Sequence, residues 1–308
     1  MSKRVLVASP RSFCAGVVRA IDIVEELLKR HGPPVYVRHE IVHNIHVVRD
    51  LEERGAVFVK SEEDVPEGAL IVLSAHGVAP KVYEKCAERG LQVVDAVCPL
   101  VSKVHAEARR YAAQGHKIAL VGHAGHVEVE GTMGEAPDSI FLIETPDEAA
   151  EIELEEGQRL AYLTQTTLSL DDTAEVVDAL RERVPDLVGP PSADICYATQ
   201  NRQDAVKHIC DEATLVLVVG SRASSNANRL VEVAHSKGAD AYLIDDETDL
   251  ELEWLEGHET VGLTAGASSP EVLVERVVDR LAELGYTERE DVEIAREDVF
   301  FRLPASLR

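Results

Sequence analysis

Short apolar runs alternate along the chain with longer segments in which apolar residues recur at every third or fourth position. KIALV and LVLVV are runs of the first kind, and AGVVRAIDIVEELLKRHG is a segment of the second kind. Continuous apolar strands that alternate with amphipathic helices are typical of parallel sheets covered on both faces. The pattern therefore predicts an α/β protein with mainly parallel sheets.

The same order of segments occurs three times along the chain. Cys14, Cys98 and Cys196 are each expected in a loop, and each precedes a helix-like segment and then an apolar strand. Gly122 lies 24 residues after Cys98, and Gly220 also lies 24 residues after Cys196. The second half of each repeat reads as strand, acidic linker, strand, polar loop and helix. These repeats predict three similar α/β domains in a pseudo-threefold arrangement.

The repeats also suggest where the domains begin and end. We place the three domains at residues 14–97, 98–194 and 195–284, and we assign residues 285–308 to a C-terminal tail that contains a strand. The opening strand, KRVLVASP, has no extra copy in the repeats. We expect residues 1–13 to join the sheet of the third domain.

Each repeat has two polar loops at strand ends, where open α/β sheets bind their ligands. Four histidines, namely His43, His76, His123 and His126, lie in or beside these loops. SRASSN, TAGASS and TQTT offer hydroxyls and backbone N–H groups that suit phosphate oxygens, although helix capping explains the serines equally well. None of these loops is a Walker A or GxGxxG motif, so nucleotide binding has little support. Glu128, in the polar loop GHAGHVEVE, is a candidate acid or one more exposed carboxylate.

The charge of the chain narrows its possible partners. Its 308 residues include 31 Lys and Arg and 56 Asp and Glu, which gives a formal net charge of -25. Such a surface repels nucleic acids and anionic membranes, so we expect neither as a partner. The apolar runs are shorter than a membrane span, and the run at the N-terminus is too short for a signal peptide. We therefore expect a cytoplasmic protein.

The three loop cysteines could serve three different purposes. They could bind one iron–sulfur cluster, bind zinc, or be unrelated to one another. Structural zinc sites usually take their ligands in close pairs, whereas here one cysteine comes from each repeat. A four-iron cluster on three cysteines would leave one iron without a thiolate ligand, able to act as a Lewis acid. Cys86 and Cys210 lie in helix-like segments, where a cysteine is usually a small buried apolar side chain.

Nine motifs in order, from PRSFCAGV near the start to TAGAS near the end, match a known family. They include YVRHEIVHN, SAHGV, DAVCPLVSKVH, GHAGHVEVEGTMG, TQTTLS, DICYATQNRQ and GSRASSNANRL. The chain resembles the LytB family of 4-hydroxy-3-methylbut-2-enyl diphosphate reductases over most of its length. Many members have Pro where this chain has Val127, which changes the stiffness of the loop that contains Glu128.

The resemblance implies a fold, a cofactor and a reaction. The fold is three α/β domains around a central [4Fe–4S] cluster, one per chain, with the ligands Cys14, Cys98 and Cys196. The reaction converts the allylic diphosphate reductively to isopentenyl and dimethylallyl diphosphate, the last step of the methylerythritol phosphate route, with Glu128 as proton donor. The diphosphate would contact His43, His76, His126, Thr166, Ser224, Ser225, Asn226 and Ser268. The implied electron donor is a ferredoxin or a flavodoxin.

Two other classes of function fit some of the same features. A non-redox hydro-lyase could use a three-cysteine cluster to dehydrate a hydroxy acid, but it would need arginines for the carboxylate, and these loops contain only Arg222. A protein that holds a cluster or zinc for an interaction would show no turnover. An ultraviolet–visible spectrum of anaerobically purified protein separates iron–sulfur from zinc.

Overall fold

The computed structural model describes residues 3–308, which form twelve β-strands and ten α-helices. The strands are β1 Lys3–Ser9, β2 Val35–Arg38, β3 Ala56–Val59, β4 Leu70–Leu73, β5 Gln92–Asp95, β6 His116–Val121, β7 Ile140–Ile143, β8 Arg159–Thr164, β9 Leu215–Val219, β10 Asp240–Ile244, β11 Thr260–Ala265 and β12 Tyr286–Glu293. No helix within residues 3–308 is long and apolar enough to cross a membrane.

The helices alternate with these strands. They are α1 Ala15–His31, α2 Ile45–Glu53, α3 Pro80–Glu88, α4 Pro99–Ala113, α5 Val127–Met133, α6 Pro146–Ala150, α7 Leu170–Arg183, α8 Tyr197–Ile209, α9 Ser225–Ser236 and α10 Glu271–Glu283. Short 3₁₀ segments occur at Glu62–Asp64, Glu247–Asp249, Leu252–Leu255 and Ala305–Leu307.

The strands form three sheets, and every strand pairing among the described residues is parallel. The strand orders are β10-β9-β11-β1-β12, β3-β2-β4-β5 and β7-β6-β8. In each sheet, the first strand after the cysteine's helix lies between the next two strands along the chain. The predicted α/β fold with three mainly parallel sheets is confirmed. The opening strand β1 pairs with β11, as the sequence predicts.

The chain divides into two compact units. One unit contains the residues up to Val18 together with His43–Arg49 and Tyr197–Phe300, and it holds the five-stranded sheet. The other contains Arg19–Val42, Asp50–Cys196 and Phe301–Arg308, and it holds the four-stranded and three-stranded sheets. The domain boundaries expected from the repeats remain a prediction.

The five-stranded sheet shows why the strands are so uniformly apolar. All five residues of β9 are buried, because helices cover both faces of the sheet. Gly220 directly follows β9, and a Cβ atom there would lie 2.5 Å from the Cβ of Ala227. The missing side chain therefore lets the start of α9 lie against the end of the strand, which brings the SRASSN loop to the carboxyl edge of the sheet.

We expect Leu217→Ala in β9 to lower the free energy of unfolding by about 2–5 kcal/mol, because it leaves a cavity in a closely packed core. Leu217 is 0% exposed, whereas Leu252 is 57% exposed and provides the matched control. Denaturant unfolding of both variants checks this. A Leu217→Ala variant as stable as Leu252→Ala would contradict the packing described here.

Candidate functional site

Cys14, Cys98 and Cys196 each make the same kind of backbone hydrogen bond. The N–H of each cysteine donates to a carbonyl oxygen two residues beyond a strand, namely Ala267 for Cys14 (3.1 Å), Ala75 for Cys98 (2.9 Å) and Thr166 for Cys196 (3.0 Å). The strands are β11, β4 and β8, the third strand of each repeat. Each sheet thus positions one cysteine in the same way.

A helix begins directly after each of these cysteines: α1 at Ala15, α4 at Pro99 and α8 at Tyr197. The N-terminus of a helix carries a partial positive charge, which favours the negative charge of a metal–thiolate group placed there. All three cysteines are partly exposed, and no disulfide forms within residues 3–308. That part of the chain also contains no group of three or more His, Cys, Asp or Glu side chains arranged around a single metal ion.

The other two cysteines have a different environment. Cys86 is fully buried in α3, and burial raises the pKa of its thiol. Cys210 was expected inside a helix, but α8 ends one residue earlier, at Ile209, and Cys210 begins the turn to β9. Burial raises the pKa of the Cys210 thiol to about 11. Both groups stay protonated at neutral pH, which agrees with a packing role.

Glu128 lies in the interior, with only 3% of its surface exposed. Its Oε1 accepts the backbone N–H of Thr166 at 2.6 Å, and its Oε2 accepts the Thr166 hydroxyl at 2.9 Å. The sequence placed Glu128 in a loop, but it belongs to the first turn of α5. A helix of seven residues has too few turns for its periodicity to stand out in the sequence. Val127 is the first residue of this helix, a position that Pro also tolerates, so the departure from the family pattern leaves Glu128 bound to Thr166.

Burial raises the pKa of Glu128 to about 7, although the two hydrogen bonds from Thr166 stabilise the ionised form. The charge of His105 also lowers this pKa, whereas that of Asp194 raises it. A carboxyl group with a pKa near neutrality can both hold and release a proton at the pH of a cell. The alternative of an exposed surface acid is therefore wrong.

One of the predicted histidines lies beside Glu128, and a second lies near the first. The His126 Nδ1 accepts the backbone N–H of Glu128 at 3.2 Å and caps α5. The rings of His76 and His126 are 6.1 Å apart at an interplanar angle of 83°. The Ser74 hydroxyl lies 3.3 Å from the Nδ1 of His76. His76, His126, Glu128 and Thr166 thus form one polar group in the unit that contains Cys98 and Cys196.

The unit that contains Cys14 brings together the remaining predicted residues. Ser224 caps α9, and Ser225 is the first residue of this helix. The Ser268 hydroxyl donates to the carbonyl oxygen of His43 at 3.0 Å and lies 3.4 Å from the Ser224 hydroxyl. Asn226 accepts the backbone N–H of Ala267 at 2.8 Å through its Oδ1. Hydroxyls, an amide and a helix N-terminus form a group of neutral donors suited to phosphate oxygens.

Glu128 and Asn226 occupy equivalent positions in two repeats. Each lies two residues after the capping residue of its helix, and its side-chain oxygen accepts an N–H from Thr166 or Ala267. The carbonyl oxygens of Thr166 and Ala267 in turn accept the N–H groups of Cys196 and Cys14. One loop residue therefore connects a candidate catalytic or binding side chain to a candidate metal ligand.

Sequence reasoning missed three residues that organise these groups. Asn44 caps α2 by accepting the N–H groups of His46 and Val47, both at 3.1 Å. Asp194 lies two residues before Cys196, and its carboxylate accepts the N–H of Thr164 at 3.1 Å. The Thr199 hydroxyl accepts the Asn226 amide at 3.3 Å. Asn44 could have been found, because it ends a polar motif where Asn is a preferred helix cap. Asp194 and Thr199 act through distant parts of the chain and leave no local pattern.

We expect Thr166→Val to raise the pKa of Glu128 by about one to two pH units. Valine removes a hydroxyl that stabilises the carboxylate, and such a bond contributes about 1.5–3 kcal/mol, where 1.36 kcal/mol corresponds to one pH unit. Infrared titration of the protonated carboxyl band checks this, with Glu128→Gln identifying the band. Thr173→Val, which removes a buried hydroxyl in α7, is the control. An unchanged band midpoint in Thr166→Val would show that the hydroxyl does not stabilise the carboxylate.

Comparison with known proteins identifies the family to which this chain is similar. The model of the LytB protein family matches residues 5–282. A 4-hydroxy-3-methylbut-2-enyl diphosphate reductase of Acidothermus cellulolyticus is 57% identical over 307 residues, which cover 99% of this chain and 90% of the relative. Reductase 2 of Mycobacterium tuberculosis, strain H37Rv, is also 57% identical, with 99% and 92% covered.

Solved structures agree with these sequence matches. The E-1-hydroxy-2-methyl-but-2-enyl-4-diphosphate reductase from Plasmodium falciparum superposes with a TM-score of 0.97 at 39% identity and covers 100% of this chain and 97% of its own. A second structure, described as the terminal enzyme of the non-mevalonate pathway, has a TM-score of 0.63 at 32% identity and covers 91% and 99%. The chain therefore belongs to the LytB family of diphosphate reductases.

Proposed function

We propose that this protein reduces 4-hydroxy-3-methylbut-2-enyl diphosphate to isopentenyl and dimethylallyl diphosphate, using one [4Fe–4S] cluster bound to Cys14, Cys98 and Cys196. Membership of the LytB family and the names of relatives at 57% identity support the reaction. The observation that most supports the ligand set is the shared hydrogen bond that each cysteine donates to its sheet.

The donor set fits an iron–sulfur cluster. Three partly exposed cysteines at helix N-termini can provide the sulfur ligands. Burial raises the pKa of the Cys86 and Cys210 thiols, which suits packing rather than metal binding. Each cysteine of a cluster binds its own iron, so the three sulfurs do not have to meet at one ion. When bound, a cluster of this type supplies single electrons and one iron that is open to a substrate oxygen.

Neutral donors would bind the diphosphate. The proposed contacts are the side chains of His43, His76, His126, Thr166, Ser224, Ser225, Asn226 and Ser268. Hydroxyl, amide and imidazole groups together with the N-terminus of α9 can stabilise phosphate charge without a cluster of lysines. This explains how a chain of net charge -25 could bind an anion.

Glu128 would supply a proton. In the overall reaction the C–O bond breaks, the hydroxyl leaves as water after it takes one proton, and the carbon takes two electrons and a second proton. The pKa of Glu128, raised to about 7 by burial, suits a group that gives its proton to the leaving hydroxyl. Thr166 would orient the carboxyl group through its two hydrogen bonds.

The electrons must come from another molecule. A reduced ferredoxin or flavodoxin is the donor that we propose, because both deliver electrons singly and at low potential. A thiolate-bound cluster and a reduced donor require a reducing compartment, so we propose a cytoplasmic location with them.

The ligand assignment predicts the iron content of cysteine variants. Changing Cys14, Cys98 or Cys196 to Ser should abolish or destabilise the cluster, because a serine hydroxyl is a poor substitute for a thiolate. Cys86→Ser and Cys210→Ser should keep it and are the controls. Iron content and the visible spectrum after anaerobic reconstitution show which variants retain the cluster. A full cluster in Cys98→Ser, or its loss in Cys86→Ser, would refute the assignment.

The role of Glu128 predicts a loss of turnover without a loss of binding. Glu128→Gln keeps nearly the same volume and can still accept the Thr166 N–H, but it cannot exchange a proton. General acid catalysis contributes about a hundred- to ten-thousandfold, so turnover should fall by that factor. Steady-state rates and the dissociation constant of the substrate provide the test. Turnover close to the parent rate would remove Glu128 from the catalytic residues.

A further inference from the structure

A positively charged side chain follows each of the three cysteines by five or six residues. Arg19 lies five residues after Cys14, Lys103 five after Cys98, and Arg202 six after Cys196. Each lies on the helix that begins after its cysteine, at α1, α4 and α8. The spacing places all three in the second turn of their helices.

Each cation binds the main chain just ahead of the next cysteine in the repeat order. Arg19 donates from Nη1 to the carbonyl oxygens of Ala96 (3.1 Å) and Val97 (2.9 Å), directly before Cys98. Lys103 donates to the carbonyl oxygens of Ser192 (2.8 Å) and Ala193 (2.9 Å), ahead of Cys196.

Arg202 completes the order by binding the segment before Cys14. Its Nη2 donates to the carbonyl oxygens of Ser12 (2.6 Å) and Arg11 (3.3 Å). The segment before each cysteine thus receives hydrogen bonds from one cation. Because the same contact occurs in all three repeats, it is a feature of the repeated fold rather than of one local sequence.

The three cations differ in how much of their charge is neutralised. The Lys103 ammonium lies 3.1 Å from the fully buried Asp194 carboxylate, and Arg202 lies 2.9 Å from the Glu297 carboxylate. The hydrogen bonds of Arg19 all go to backbone carbonyl oxygens, including that of Arg302 at 3.0 Å. Among the described residues, Arg19 thus forms no ion pair with a carboxylate, although the charge of Asp95 acts on it.

The hydrogen bond from Arg19 to Val97 places the guanidinium next to the peptide group of Cys98. Its guanidinium binds the carbonyl of the peptide that joins Val97 to Cys98, and the N–H of this same peptide donates to Ala75. Asp95 and Cys98 are the acidic groups whose charges act on the guanidinium. A peptide polarised at its oxygen by a cation becomes a stronger donor at its nitrogen.

We propose that the positive charge of Arg19 beside Cys98 raises the reduction potential of the cluster. The proposal rests on the proposed function, since it requires a cluster on Cys98. Three thiolates and an acidic chain disfavour the addition of an electron, and a nearby cation offsets part of that cost. Lys103 and Arg202, whose charges are paired with carboxylates, hold their segments in place instead.

The test is the midpoint potential of the cluster in Arg19 variants, measured by anaerobic titration with a chemical reductant and electron paramagnetic resonance. Arg19→Gln should lower the potential, with the reduction equilibrium shifted by roughly tenfold, or about 59 mV for one electron. Arg19→Lys keeps the charge and should stay near the parent value. Arg30→Gln is the matched control, because it removes a cation from the last turn of the same helix, where it binds Glu26 and Leu307.

Each outcome bears on one of the two proposals. A parent protein without iron refutes the proposed function, whereas a parent with a cluster and an Arg19→Gln variant of equal potential refutes the role of Arg19. If Arg19→Gln does not retain the cluster, Arg19→Lys decides. A lysine variant with a cluster at the parent potential supports the charge, and one that also loses the cluster shows that Arg19 acts only through the geometry of the segment, which overturns the proposal.

Discussion

The hydrogen bond from each cysteine N–H to the carbonyl two residues beyond a strand is the constraint on which the rest of the site depends. The accepting loop follows β4, β8 or β11, strands that pair within parallel sheets. β4 and β11 pair with a strand on each side and β8 pairs with β6, so the strand ends have little freedom to move. The bond extends that rigidity to the main chain of the cysteine. The helix that begins at the next residue then adds the positive end of its dipole.

The same loops connect the cysteines to the residues that would act on substrate. Thr166 binds Cys196 through its carbonyl and Glu128 through its N–H and hydroxyl, and Ala267 binds Cys14 and Asn226 in the equivalent way. One repeat uses this position for an acid and another uses it for an amide. The repeated scaffold thus gives different chemistry at matching points of two repeats, because the side chain at that point differs.

Much of this arrangement could be predicted from the sequence. The repeat spacing, the apolar strands and the three loop cysteines are local patterns, and the structure confirms the three parallel sheets and the place of β1. The contact of Glu128 with Thr166 spans 38 residues and has no periodicity to reveal it. The sequence does not predict the contacts of Arg19, Lys103 and Arg202. Their hydrogen bonds go to backbone carbonyl oxygens, which any residue type can supply.

The central claim is that this chain performs a reduction at a cluster held by its three repeats. The most direct measurement is product formation from 4-hydroxy-3-methylbut-2-enyl diphosphate by anaerobically purified protein, with and without a one-electron reductant. Isopentenyl and dimethylallyl diphosphate should appear only with the reductant, in proportion to the electrons consumed, two per product. Turnover that proceeds without a reductant, or an iron-loaded protein that forms neither product with one, would contradict the account.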